Sequence, residues 1–275
     1  MSKSLAGNRL VEAFADASKA GRKLLVPFIT AGYPDLATTG ALLADFERRG
    51  VKVCELGVPF SDPVADGPVI QASYTQALEK GVHSDGILEM VRAYRAAGGT
   101  MALATMVSYS IVFRHGLEAY FKQAAAAGAD AMIIPDLPLE EAAPAEKAAT
   151  AAGLANVMLV APTTPPDRRE QIARHSRGFL YYISVAGITG QRDALPAATI
   201  EAVRDLRRHS GVPVCVGFGI SSPATVAAAI QAADGAIVGS AIVKRITDAM
   251  QRGLSRDELV AQVGRFVEEL MEPCR

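Results

Sequence analysis

Eight short apolar runs, joined by helical patterns with no linker between them, predict an α/β fold for this chain of 275 residues. The arrangement is that of a (β/α)8 TIM barrel with additional N-terminal and C-terminal helices, in a single domain over residues 1–275. The strands are apolar throughout rather than alternating, which argues for a parallel sheet covered by helices. A doubly wound open sheet ranks second. No Gly-x-Gly-x-x-Gly follows the first strand, where the turn reads Thr30-Ala31-Gly32-Tyr33-Pro34.

The elements follow in order. A helix over 5–20 precedes strand 23–30 and helix 36–49. Strand 51–56 is apolar at Val51, Val53 and Cys54 and breaks at Gly57; helices 69–79 and 87–97 follow it. Strand 101–106 leads to helix 117–127, strand 131–134 to helix 140–152, and strand 156–160 to helix 168–175. Strand 179–183 leads to helix 197–209, strand 213–217 to helix 224–232, and strand 236–238 to helix 241–250. A last helix covers 256–271.

Composition fits an enzyme. Half the residues are hydrophobic (50%), 21% are charged, and the net charge is -1. The 28 basic residues are scattered, so there is no nucleic-acid footprint. Cys54 and Cys215 lie in apolar strands and read as small core residues in a reducing compartment; Cys274 reads as incidental. No apolar run is long enough to span a membrane, and Met1-Ser2-Lys3-Ser4 does not resemble a secretory signal, so a cytoplasmic location is expected. His83, His115, His175 and His209 share no metal-like spacing and read as surface residues, and Arg204, Arg207 and Arg208 read as a solvated helix face.

Chemistry in such a barrel belongs at the C-terminal strand ends. Glu55 stands near the end of the second strand, where a carboxylate is costly unless something pairs with it or uses it. The next loop is stiffened by Pro59, Pro63 and Pro68 and carries Asp62 and Asp66. An acid on a strand end facing an acid on a loop suits general acid–base work. The spacing alone leaves a second reading open, in which Glu55 pairs with a buried cation and the aspartates cap turns. Gly217-Phe218-Gly219 and Gly239-Ser240 follow the last two strands. They put bare backbone N–H groups beside helix starts, as in phosphate sites, although the same glycines also suit tight turns.

Taken together, these motifs resemble the tryptophan synthase alpha subunit family from end to end. The matching runs are 27–35, 55–67, Pro135-Asp136-Leu137-Pro138, Ala161-Pro162-Thr163-Thr164-Pro165, 184–190, 217–221 and 239–243. The resemblance implies retro-aldol cleavage of indole-3-glycerol phosphate to indole and glyceraldehyde 3-phosphate. It implies passage of indole to a beta subunit in an alpha2-beta2 heterotetramer, with pyridoxal phosphate in that subunit and no cofactor or metal in this chain. Residue by residue, it implies that Glu55 is the catalytic carboxylate and that Asp66 accepts a hydrogen bond from the indole N–H. Tyr181 lines the site near Glu55, and Phe28 packs on the indole. Gly190, Gly219, Gly239 and Ser240 would hold the phosphate. Residues 184–196 match a mobile lid whose Thr189 reaches Asp66 on closure.

One stretch departs from the family pattern. Met106-Val107-Ser108-Tyr109-Ser110-Ile111-Val112 has Ser110 and Ile111 where Asn and Pro are common, and Ser108 where an aromatic is common. This lies where family barrels meet the beta subunit. It leaves room for a stand-alone lyase releasing free indole, or for a catalytically silent activator of a beta subunit. Intact Glu55 and Asp66 argue against the silent form. A different sugar-phosphate barrel isomerase is disfavoured by the run 55–67 together with the lid.

Overall fold

The computed structural model describes residues 5–63, 66–183, 197–217 and 219–275. Eight parallel strands close into a barrel in chain order, with β1 beside β8. They are β1 (Leu24–Thr30), β2 (Val53–Gly57), β3 (Ala102–Met106), β4 (Ala131–Ile133), β5 (Ala155–Val160), β6 (Leu180–Ile183), β7 (Val214–Gly217) and β8 (Gly235–Val238). Each falls within two residues of an apolar run, because strands enclosed on both faces carry no polar alternation.

The helices are α1 (Arg9–Lys19), α2 (Leu36–Arg48), α3 (Pro68–Glu79), α4 (Ser84–Ala96), α5 (Tyr109–His115), α6 (Leu117–Ala127), α7 (Ala142–Ala152), α8 (Pro166–His175), α9 (Ala197–His209), α10 (Pro223–Ile230), α11 (Ser240–Gln251) and α12 (Arg256–Met271). Local chemistry explains where their ends depart from expectation. α1 starts at Arg9 because the Asn8 side chain accepts from the N–H groups of Leu10 and Val11. α3, α8 and α10 each begin on a proline, whose missing N–H costs nothing in a first turn. Residues Leu139–Glu141 form a 3-10 turn before α7. α5 was not expected; Ser108 caps it by accepting from Ser110 N–H. Cys274 is not incidental: it is buried at 7% exposure, and burial pushes its thiol up to about 11.

Opposite the strand ends that carry Glu55, carboxylates are neutralised. Asp130, 3% exposed, accepts from Arg9 and Arg95 at 2.8 Å each and from the Leu103 N–H at 2.8 Å. Asn8 donates to the Asp130 carbonyl at 2.8 Å and the Gly153 carbonyl at 3.1 Å. This network pins α1 across the N-terminal ends of β3 to β5 and pairs the buried Asp130 with two guanidinium groups.

Candidate active site

Glu55 lies inside the barrel on β2 at 0% exposure, in register with Phe28 on β1 and Ala104 on β3. Unlike Asp130, its Oε1 and Oε2 have no hydrogen-bond partner among the described residues. The alternative of a buried cation partner thus finds no support among them. Burial, and then the charge of Asp66, pushes its carboxyl well above the ordinary value. Both effects favour the protonated form of the Glu55 carboxyl.

Asp66 sits in the loop entering α3. Gln71 from α3 donates to the backbone carbonyls of Asp66 at 2.7 Å and Pro63 at 3.4 Å. These bonds fix the loop backbone rather than the Asp66 carboxylate. Burial pushes it up to about 6.

Phe28 and Tyr181 complete the same end of the barrel, buried at 3% and 5% exposure. The Phe28 ring occupies space opened by two glycines. A Cβ on Gly239 would come within 3.2 Å of Phe28 Cδ1, and one on Gly57 within 2.7 Å of Phe28 Cε2. Tyr181 uses Gly217 in the same way; a Cβ there would meet its ring at 2.5 Å. The Tyr181 phenol is held well above its ordinary value by burial, then by the charges of Glu55 and Asp66. The structure therefore brings Glu55, Asp66, Phe28 and Tyr181 together.

Of the expected phosphate residues, Gly219 follows β7 and Gly239 and Ser240 follow β8. Gly219 follows β7 with a φ of 75, a conformation that favours glycine. At that turn the N–H groups of Ser221 and Ser222 already donate to Thr225 Oγ1 at 3.0 Å. Gly239 is the N-cap of α11 and no side chain caps that helix. The Ile242 and Val243 N–H groups return to the Gly239 carbonyl, so among the described residues the first-turn N–H groups of Ser240 and Ala241 are the ones a helix start offers to an anion. Thr189, Gly190 and the rest of 184–196 lie outside the described residues, as does Phe218.

The departing stretch after β3 is tied to the loop after β4. Ser108 donates to Asp136 Oδ2 and the Tyr109 N–H to Asp136 Oδ1, both at 2.7 Å. A cavity runs from Asp66 to this pair, with Val58, Tyr74 and Val107 on its walls. Beyond it, Phe113 on α5 is the one exposed large hydrophobic among the described residues, at 70%. Its ring lies 6.0 Å from that of Tyr109.

Tyr74 was not anticipated as part of this site. It shares the buried face of α3 with Ile70, Ser73 and Ala77, so its spacing signals only core. Among the described residues no group of three or more His, Cys, Asp or Glu could hold a metal, and no helix is long and apolar enough to cross a membrane. Of the arginines read as a solvated face, Arg207 pairs with Asp234 at 2.9 Å.

The family model described as "Tryptophan synthase alpha chain" matches residues 14–271. The tryptophan synthase alpha chain of Rhodopirellula baltica is 46% identical over 236 residues, covering 85% of this chain and 85% of that protein. A crystal structure of the tryptophan synthase alpha chain from Legionella pneumophila superposes with a TM-score of 0.87 at 31% identity, covering 97% of each chain. A chain of the tryptophan synthase complex from Pyrococcus furiosus superposes with a TM-score of 0.81 at 31% identity, covering 91% of this chain and 98% of that one.

Proposed function

This chain belongs to the tryptophan synthase alpha chain family, and from that premise we propose that Glu55 and Asp66 divide the acid–base work of indole-3-glycerol phosphate cleavage. The observation that carries this reading is the Glu55 carboxyl: buried, without a partner among the described residues, and pushed toward its protonated form.

The chemistry follows from that state. Protonated Glu55 delivers its proton to indole C3, making that carbon tetrahedral. Positive charge develops on the ring, the N–H becomes more acidic, and ionised Asp66 takes it up. Glu55, now a carboxylate, removes the proton from the glycerol hydroxyl beside the C–C bond. The aldehyde forms, the C–C bond breaks, and its electron pair restores the aromatic ring while Asp66 returns the proton to nitrogen. The products are indole and D-glyceraldehyde 3-phosphate, and both acids end as they began. Phe28 supplies a face for the indole and Tyr181 closes the site beside Glu55. Gly219, Gly239 and Ser240 receive the phosphate, with Gly190; residues 184–196 act as the lid, Thr189 closing onto Asp66.

The chain works as one barrel domain in the cytoplasm, without a cofactor of its own. Its partner is a beta subunit carrying pyridoxal phosphate, in an alpha2-beta2 assembly that takes up the indole for tryptophan synthesis. Exposed Phe113 beside the Ser108–Asp136 tie supports a docking face at the mouth of the cavity. Indole release from indole-3-glycerol phosphate, measured with and without added beta subunit, tests the assignment. Turnover that rises with beta subunit is expected. Turnover unaffected by it, with no complex, points to the stand-alone lyase.

A further inference from the structure

Tyr74 is 3% exposed on α3 and its direction is fixed from two sides. Its neighbour Ser73 donates to the Ile70 carbonyl at 2.7 Å and pairs with Thr30 Oγ1, at the end of β1, at 2.6 Å. This joins α3 to the strand beside the one carrying Glu55. Gly57 is two residues beyond Glu55, so the two share a face of β2. A Cβ on Gly57 would lie 2.6 Å from Tyr74 Oη. The phenol therefore stands one pleat above Glu55, toward the mouth, and shares the cavity wall with Asp66.

Tyr74 lines the same cavity as Asp66, and its hydroxyl is the polar end it brings to that wall. The titratable groups facing it are Glu55 from β2, Asp66 from the loop before α3 and Tyr181 from β6. Asp62 and Asp136 line the cavity farther out, and among the described residues no Lys, Arg or His lines it. Burial, then the charges of Asp66 and Glu55, holds the phenol well above its ordinary value. It is thus a neutral O–H donor across the whole working range.

We propose that Tyr74 is a positioning residue for Asp66: on substrate binding its phenolic O–H donates to one carboxylate oxygen and leaves the other for the indole N–H. This rests on the reading of Asp66 as the N–H acceptor. The phenol serves two ends. It aims a carboxylate whose loop is held, among the described residues, through its backbone, and it favours the ionised form that the reaction needs.

The test is the pH profile of kcat for indole-3-glycerol phosphate cleavage in Tyr74→Phe, measured on the alpha–beta complex, because kcat reports the enzyme–substrate complex in which the bond forms. Losing a donor to a carboxylate raises its pKa, so the acidic limb moves up by about one pH unit. The loss at the foot of that limb then exceeds the loss on the plateau by about tenfold. Thermal stability changes little, because Tyr74→Phe keeps the ring and its packing. Tyr74→Met, which also lacks the donor, moves the limb in the same direction. A limb that stays in place in both variants overturns the proposal, as does an equal loss at every pH with a lower melting temperature. Asp66→Asn and Glu55→Gln, run alongside, separate the two readings. If either stays active, the assignment of the acids fails; if both are inactive and the Tyr74 limb does not move, only the role of Tyr74 fails.

Discussion

Phe28 and Glu55 are register partners on adjacent parallel strands, which sets an aromatic side chain beside the one buried carboxyl without a hydrogen-bond partner among the described residues. A flat apolar substrate lying on Phe28 would have Glu55 next to it, held by β2 rather than by a loop. The geometry costs stability to keep that acid in place. Asp130, at the other end of the barrel, shows how the same fold treats a carboxylate it uses only structurally.

The first prediction concerns this cost. Glu55 has a folded pKa above its unfolded one, so its contribution is most favourable below the ordinary carboxylate range and is lost as pH rises through the folded value. Across that window stability falls by up to about 1.4 kcal/mol per pH unit from this group alone. Glu55→Gln removes that slope. Denaturant unfolding of both proteins at several pH values is expected to show the variant gaining on the parent as pH rises. Parallel curves would mean that Glu55 is not held protonated.

Asp66 sets the other limb of activity. In the proposed mechanism it must be ionised to take the indole N–H, and burial pushes it up to about 6. The rate therefore falls as pH drops through that value, and falls again as pH exceeds the pKa of Glu55, which must begin protonated. Asp66→Asn cuts kcat by about a hundredfold, the usual scale for losing a group matched to charge in the transition state. Steady-state kinetics across pH checks both statements; a flat acidic side would remove Asp66 from the mechanism.

Much of this was legible in the chain. The eight strands could be read because strands buried on both faces are apolar without a break, and Glu55 stood out as a charge within one of them. Other features depend on partners distant in sequence. α5 is short and is announced only by the cap at Ser108. Tyr74 looks like any core residue of α3 until the fold sets its hydroxyl against Gly57, which lies on a different element. Cys274 looks like a terminal residue until the chain end folds back, where its carbonyl accepts from the Lys23 N–H at 3.3 Å.

The phosphate end gives the third prediction. Gly239→Asp puts a carboxylate at the N-cap of α11, where the anion is to sit, and crowds Phe28, from which a Cβ would be only 3.2 Å away. KM is expected to rise at least about tenfold through like-charge repulsion. Substrate titration of the variant checks this; an unchanged KM would place the phosphate elsewhere.

The fourth prediction concerns assembly. Phe113 is 70% exposed on the helix that follows the Ser108–Asp136 tie. Phe113→Asp is expected to weaken binding to the beta subunit at least about tenfold, on the scale of losing one central aromatic anchor. The barrel itself should melt as before, since little of the ring is buried. Light scattering with titrated beta subunit reads the outcome, and unchanged assembly would put the interface on another face.

The central claim is that the Glu55 carboxyl carries the proton that breaks the carbon–carbon bond. Glu55→Gln keeps the volume and removes the acid. Indole release from indole-3-glycerol phosphate by the purified variant, with its fold verified by circular dichroism, measures this directly. The account predicts turnover at least about a hundredfold below that of the parent; indole formation at a near-parental rate would contradict it.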